Sequence, residues 1–149
     1  MEFVTNNPQE TQRAAADLVK RLGERTHQGA LILALQGELG AGKTTFIQGL
    51  AEALGIKEKV LSPTFVIMRR FAMDSSGFEN LYHLDAYRLS SAEDLKELGL
   101  ENILKDKKNL VVIEWAERVK DILPADTVWL KFEHGGGDKR RIIFEFCNF

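Results

Sequence analysis

The stretch Gly37-Glu38-Leu39-Gly40-Ala41-Gly42-Lys43-Thr44-Thr45 puts glycines, a lysine and a hydroxyl at the spacing that holds a polyphosphate. It fits G-x-x-x-x-G-K-S/T, and each fixed position has a chemical reason. Without a Cβ, Gly37, Gly40 and Gly42 can take positive φ and turn backbone N–H groups onto phosphate oxygens, which makes an anion nest. Lys43 brings a point charge to the terminal phosphates, and the Thr44 hydroxyl suits Mg²⁺.

Carboxylates are the next requirement. Glu114 ends the apolar run Asn109–Trp115, and in phosphate-loop enzymes a parallel strand delivers an acid at that position, where ligands of open α/β sheets bind. It is expected to ligate Mg²⁺ directly or through water, or to polarise the attacking water. In Leu81–Tyr87, period-2 alternation puts His83, Asp85 and Tyr87 on one side and Tyr82, Leu84 and Ala86 on the other. Two ligands do not make a metal site, so Asp85 reads as a carboxylate beside phosphates and Mg²⁺, or as part of a half-buried polar cluster. Ser62 and Thr64 follow the loop's helix in a segment where nucleotide switches carry a phosphate-sensing hydroxyl; ordinary turn chemistry around Pro63 is the alternative.

A phosphate loop needs a strand entering it and a helix leaving it. Ala30–Gln36 is an apolar run of strand length, as for a strand buried on both faces. Phe46, Ile47, Leu50, Ala51, Ala53 and Leu54 recur at helical spacing, and Gly55 is a stop. Upstream, Asn7-Pro8-Gln9-Glu10 predicts a capped helix start, with Glu10 returning to the cap. Ala14, Ala15, Leu18, Val19 and Leu22 form its buried face, and Gly23 or Gly29 ends it. Thr11, in its first turn, could meet a nucleotide base, against the plainer reading of a solvated helix threonine. Downstream, Phe65–Phe71 and Asn80–Asp85 predict a hairpin across the linker Met73–Phe78. Ser90-Ser91-Ala92-Glu93 is a capping box for a short helix with Leu95, Leu98 and Ile103 as apolar contacts. Thr127–Phe132 and Arg140–Phe146 predict a second hairpin extending one edge of the sheet. Arg140 and Arg141 read as a contact patch or as charges protecting an edge strand.

These elements predict an α/β fold: a P-loop NTPase-like three-layer sandwich with a mixed central sheet and antiparallel hairpins. The 149 residues suit one domain spanning 1–149. Apolar content of 44% and charged content of 28% are those of a soluble globular protein and do not suggest disorder, and no apolar run is long enough for a membrane span. Met1–Asn6 lacks the features of a signal peptide, so a cytoplasmic location is expected. A lone Cys147 agrees with a reducing compartment. Net charge of −2 gives no general attraction to nucleic acid, so any RNA connection would come through a partner or a local patch.

GELGAGKTT, Ser62-Pro-Thr-Phe65, His83-Leu-Asp-Ala-Tyr-Arg88 and Val112-Ile-Glu-Trp115 occur in an order and at distances that resemble the small bacterial ATPases called TsaE, formerly YjeE. The resemblance covers the chain from Gly37 to Trp115 with compatible flanks. It implies ATP and Mg²⁺ as cofactors and a role in forming threonylcarbamoyladenosine, the modified base next to the anticodon in tRNAs that read codons beginning with A. Partners implied are a TsaD-type transferase and its TsaB-type companion, with tRNA reached only through that complex. The donor adenylate comes from a separate synthase. By matching position, Gly40 to Thr45 bind phosphates, Thr44 and Glu114 hold Mg²⁺, and Thr64 and Asp85 lie by the terminal phosphate as switch or catalytic groups. Residues around Thr11 approach the nucleotide. Phe65 and Ala86 fall in slots that vary among members.

The expected reaction is Mg·ATP hydrolysis, with Glu114 or Asp85 orienting water. Arg88 is the nearest thing to an arginine finger, and slow turnover without partners is expected. A small-molecule kinase would need an acceptor pocket and an arginine-bearing lid, for which no separate segment is long enough. A GTPase switch would carry Asn-Lys-x-Asp, which is absent. A nucleotide-bound scaffold without useful catalysis remains a third reading.

Overall fold

A computed structural model describes residues 1–24, 28–58, 67–75, 77–87, 89 and 93–146. The elements are β1 (Glu2–Thr5), α1 (Pro8–Gly23), β2 (Leu31–Gly37), α2 (Lys43–Ala53), β3 (Met68–Ser75), β4 (Phe78–Asp85), α3 (Glu93–Glu97), α4 (Leu100–Lys105), β5 (Asn109–Glu114), β6 (Val128–His134) and β7 (Arg140–Phe146). A kinked 3₁₀ segment, Ala116–Ile122, links β5 to β6.

The strands make one mixed sheet in the order β1-β7-β6-β2-β5-β4-β3. Its centre is parallel, with β2 between β5 and β6 and β4 outside β5. The two expected hairpins pair antiparallel outside this centre. Strands covered on both faces read as continuous apolar runs, which is why β2 and β5 show no alternation in sequence.

One face packs against α1 and α2: Leu33 and Leu35 of β2, Val112 of β5 and Leu130 of β6 meet Leu18 and Leu22 of α1 and Phe46 and Leu50 of α2. The opposite residues, Ile32, Ala34, Val111 and Ile113, meet Leu95, Leu100 and Val119 from α3, α4 and the 3₁₀ segment. This is the three-layer sandwich expected.

Local chemistry sets the ends of α1. Asn7 is extended and its side chain accepts the Glu10 N–H at 2.9 Å, while Pro8 opens the helix. Glu10 returns to the N–H of Asn6, at 2.6 Å, one residue earlier than a capping box would have it.

Several expectations need correction. The second hairpin does not extend an edge: β6 joins β2 in the interior, and β1, which periodicity over four residues does not reveal, covers β7. Arg140 and Arg141 therefore do not guard an edge strand. The linker Met73–Phe78 is mostly strand, because a register shift between Ala72 and Ser75 lets pairing resume at Phe78. The helix after residue 92 is broken into α3 and α4 at Gly99, whose φ of 79° no helix interior adopts. That break turns Leu98 outward, 40% exposed, and puts Leu100 in the core in its place. The capping-box residues 90–92 and Cys147 lie outside the described residues.

Candidate nucleotide site

β2 ends at Gly37, β4 at Asp85 and β5 at Glu114, so three parallel strands finish along one line. Asp85 is opposite Glu114 in register, and Glu114 is opposite Leu35 of β2. Side chains at paired positions share a face, so both acids project on the side carrying α1 and α2. The chain leaving β2 makes the glycine loop and enters α2 at Lys43. Gly42 is the N-cap with φ of 99°, a value that a side-chain-bearing residue reaches only with strain. The first N–H groups of α2 have no intrahelical acceptor, and with the helix dipole they favour an anion there.

Between these parts lies a cleft of about 450 Å³ lined by Gly40, Gly42, Lys43, Thr44, Thr45, Asp85 and Glu114, with Thr11 and Pro8 from α1. Of the other loop positions expected to bind, Gly37 lines an adjoining recess and Ala41 is 1% exposed, packed into the core. Thr64, Ser62 and Arg88 lie outside the described residues.

Thr11 is not solvated. It is 2% exposed, and its hydroxyl meets that of Thr5 at 2.7 Å. Thus β1 braces the first turn of α1 from below.

Glu114 is buried, and its Oε2 lies 2.8 Å from Nε2 of His83, which is also buried. His83 is two residues before Asp85 on β4 and points to the same face, so β4 contributes both the orienting imidazole and the second acid. A carboxylate removed from water needs such partners to be held in one rotamer. Asp85 is fixed differently: its Oδ1 accepts the N–H of Tyr87 at 2.9 Å.

Lys43 is 5% exposed and donates to the carbonyl of Gly37. Its Nζ lies 3.7 Å from the centre of the Trp115 ring. Burial pushes its pKa below the ordinary lysine value, against the opposing pull of Glu114, Glu117 and Asp85. Trp115 is the non-glycine residue with positive φ, 56°, among the described residues. A bulky residue there stores backbone strain, and the result is an indole laid across the lysine. Tyr87 also packs against Trp115, with ring centres 5.0 Å apart.

The donors present suit magnesium. A threonine hydroxyl and two carboxylates are hard oxygen ligands, and Mg²⁺ at phosphate sites takes few protein ligands, completing its shell with phosphate and water. No group of three or more His, Cys, Asp or Glu that could cage a metal occurs among the described residues.

Sequence reasoning missed six lining residues: Pro8, Leu39, Tyr87, Trp115, Asp138 and Arg140. The tip of the β6–β7 hairpin supplies the last two. Its proximity to the loop depends on β6 pairing with β2, which no local pattern announces.

A glycine loop between a buried strand and a helix, facing two acids at the C-terminal ends of parallel strands, defines an α/β protein of the phosphate-loop class. Comparison with known proteins narrows this. Residues 5–142 match the family described as Threonylcarbamoyl adenosine biosynthesis protein TsaE. The chain is 35% identical over 144 residues to the tRNA threonylcarbamoyladenosine biosynthesis protein TsaE of Bacillus subtilis, covering 97% of this chain and 84% of that protein. It is 41% identical over 128 residues to the protein of the same description from Treponema pallidum, covering 86% and 87%. The crystal structure of YdiB from Bacillus subtilis superposes with a TM-score of 0.76 at 32% identity, covering 99% of this chain and 86% of the other. This chain belongs to the TsaE family.

Proposed function

We propose that the chain hydrolyses Mg·ATP in support of tRNA threonylcarbamoyladenosine formation, acting with a TsaD-type transferase and its TsaB-type companion. The observation that carries the chemistry is the single cleft in which Lys43, Thr44 and the loop amides face Asp85 and Glu114. The biological setting comes from family membership and from the descriptions of the relatives.

The residues divide the work. The loop amides from Gly40 to Thr45 and the Lys43 ammonium offset charge on the β- and γ-phosphates. Thr44 and Glu114 would hold the metal, which would supply positive charge to offset that of the phosphates. Asp85, held by the Tyr87 N–H, and Glu114, held by His83, are the two groups able to orient water. Thr64, which lies outside the described residues, is assigned to the terminal phosphate by its match to the family's motif alone. The Trp115 ring covers the buried Lys43 ammonium, and its removal from water strengthens electrostatic interactions there.

Among the described residues the cleft's one arginine, Arg140, comes from the loop side rather than beside the acids. A missing transition-state cation costs about 10³ to 10⁵ in rate. The isolated chain is therefore expected to turn over slowly, and the partners to accelerate it. Phosphate release measured with and without the transferase and its companion tests this. Equal rates, or multiple-turnover tRNA modification that proceeds undiminished without this chain, would reject the proposal.

A further inference from the structure

Arg140 opens β7, opposite His134 of β6 and Thr5 of β1. Because β7 runs antiparallel to β6, its first residue lies at the end of the sheet where β2, β4 and β5 finish. Alternation then settles the face: Ile142 and Phe144 are in the core beneath α1 and α2, so Arg140 projects on that side, over the loop. Its stem packs on the N-cap of α2, since a Cβ built on Gly42 would lie 3.4 Å from Arg140 Cγ and 3.6 Å from Nε.

The two arginines of this pair differ in their partners. Arg141, on the opposite face, is held by Glu2 at 2.6 Å and Glu133 at 3.2 Å. Arg140 makes no ion pair among the described residues; its Nη1 donates to the carbonyls of Gly137 at 2.6 Å and Lys139 at 2.9 Å. A guanidinium has five N–H donors, and both of these bonds use one nitrogen. Nε, beside Gly42, and Nη2 thus make no hydrogen bond among the described residues, on a half-buried cation in the cleft.

We infer that Arg140 is a second phosphate-binding cation, reaching the polyphosphate from the β6–β7 hairpin on the side away from Asp85 and Glu114. The assignment rests on the nucleotide-binding reading above. Lys43 serves the strand side of the loop, and Arg140 serves its outer side at Gly42. Because the same guanidinium closes the glycine turn through Gly137 and Lys139, the hairpin is positioned by the group that meets the ligand.

The test is equilibrium binding of Mg·ATP and of inorganic tripolyphosphate, which has no base, to the wild-type chain and to Arg140→Ala, Arg140→Lys and Arg141→Ala. Losing one charge-assisted contact is expected to weaken both ligands by about tenfold or more in Arg140→Ala. Arg140→Lys should recover part of the loss, and Arg141→Ala should bind like wild type with the same melting behaviour. Wild-type affinity for both ligands in Arg140→Ala overturns this inference while leaving the nucleotide site standing. Weaker ATP with unchanged tripolyphosphate overturns it in favour of a base contact. If the wild-type chain binds neither ligand, the nucleotide reading falls and this inference with it.

Discussion

Burial and three nearby acids act on Lys43 in opposite directions, and burial prevails, so the ammonium is held below its ordinary pKa. A bound polyphosphate favours the charged form, which raises the pKa in the complex. On the proposed function, affinity for ATP is therefore expected to be greatest below the free-protein pKa of Lys43 and to fall as pH rises through it towards the higher value of the complex. Titrations of ATP at rising pH should show this loss accompanied by proton uptake on binding, and Lys43→Arg, which stays charged, should flatten it. An unchanged slope in that variant would assign the titration elsewhere. Lys43, Glu114 and Asp85 were legible in the sequence because each has a fixed relation to its own element: the loop spacing, or the end of an apolar strand. The His83–Glu114 bond was not, since it needs the register between β4 and β5. Nor was the buried state of Thr11, whose hydroxyl partner comes from a strand too short to read.

At the level of elements, α1 and α2 meet where both backbones come close. A Cβ at Gly49 would sit 2.5 Å from Gln12 Cα and 2.8 Å from the Gln12 carbonyl oxygen, so the helices would have to separate. Alanine gains about 1 kcal/mol of helix propensity, whereas overpacking a tight contact costs about 1–3 kcal/mol. The contact here is backbone rather than a flexible side chain, so the cost wins. Gly49→Ala should lower the melting temperature by a few degrees, at about 2–4 °C per kcal/mol for a chain of this size. An equal or higher melting temperature would mean that the helices slide apart freely. The long elements were readable for different reasons: α1 from its cap and apolar spacing, α2 from apolar spacing after the glycine loop, and β2 and β5 as unbroken apolar runs. Gly99, which splits α3 from α4, was readable only as a residue of low helix propensity, and β1 becomes a strand through pairing with β7.

Across the whole molecule, the parallel centre brings the loop, Asp85 and Glu114 to one end of the sheet, and the hairpin β6–β7 adds Asp138 and Arg140 from the other side. The ends of the chain join this arrangement: Glu2 of β1 and Arg141 of β7 form a two-pronged pair, which holds Glu2 below the usual carboxylate range. No helix among the described residues is long and apolar enough to cross a membrane. The central claim is that this end of the sheet is a hydrolytic site completed by Glu114. Phosphate release from Mg·ATP by the chain with its transferase partners, wild type against Glu114→Gln, tests it most directly, with ATP binding measured in parallel. The account predicts a fall of about a hundredfold or more in rate with ATP still bound. Hydrolysis by Glu114→Gln at the wild-type rate would contradict it.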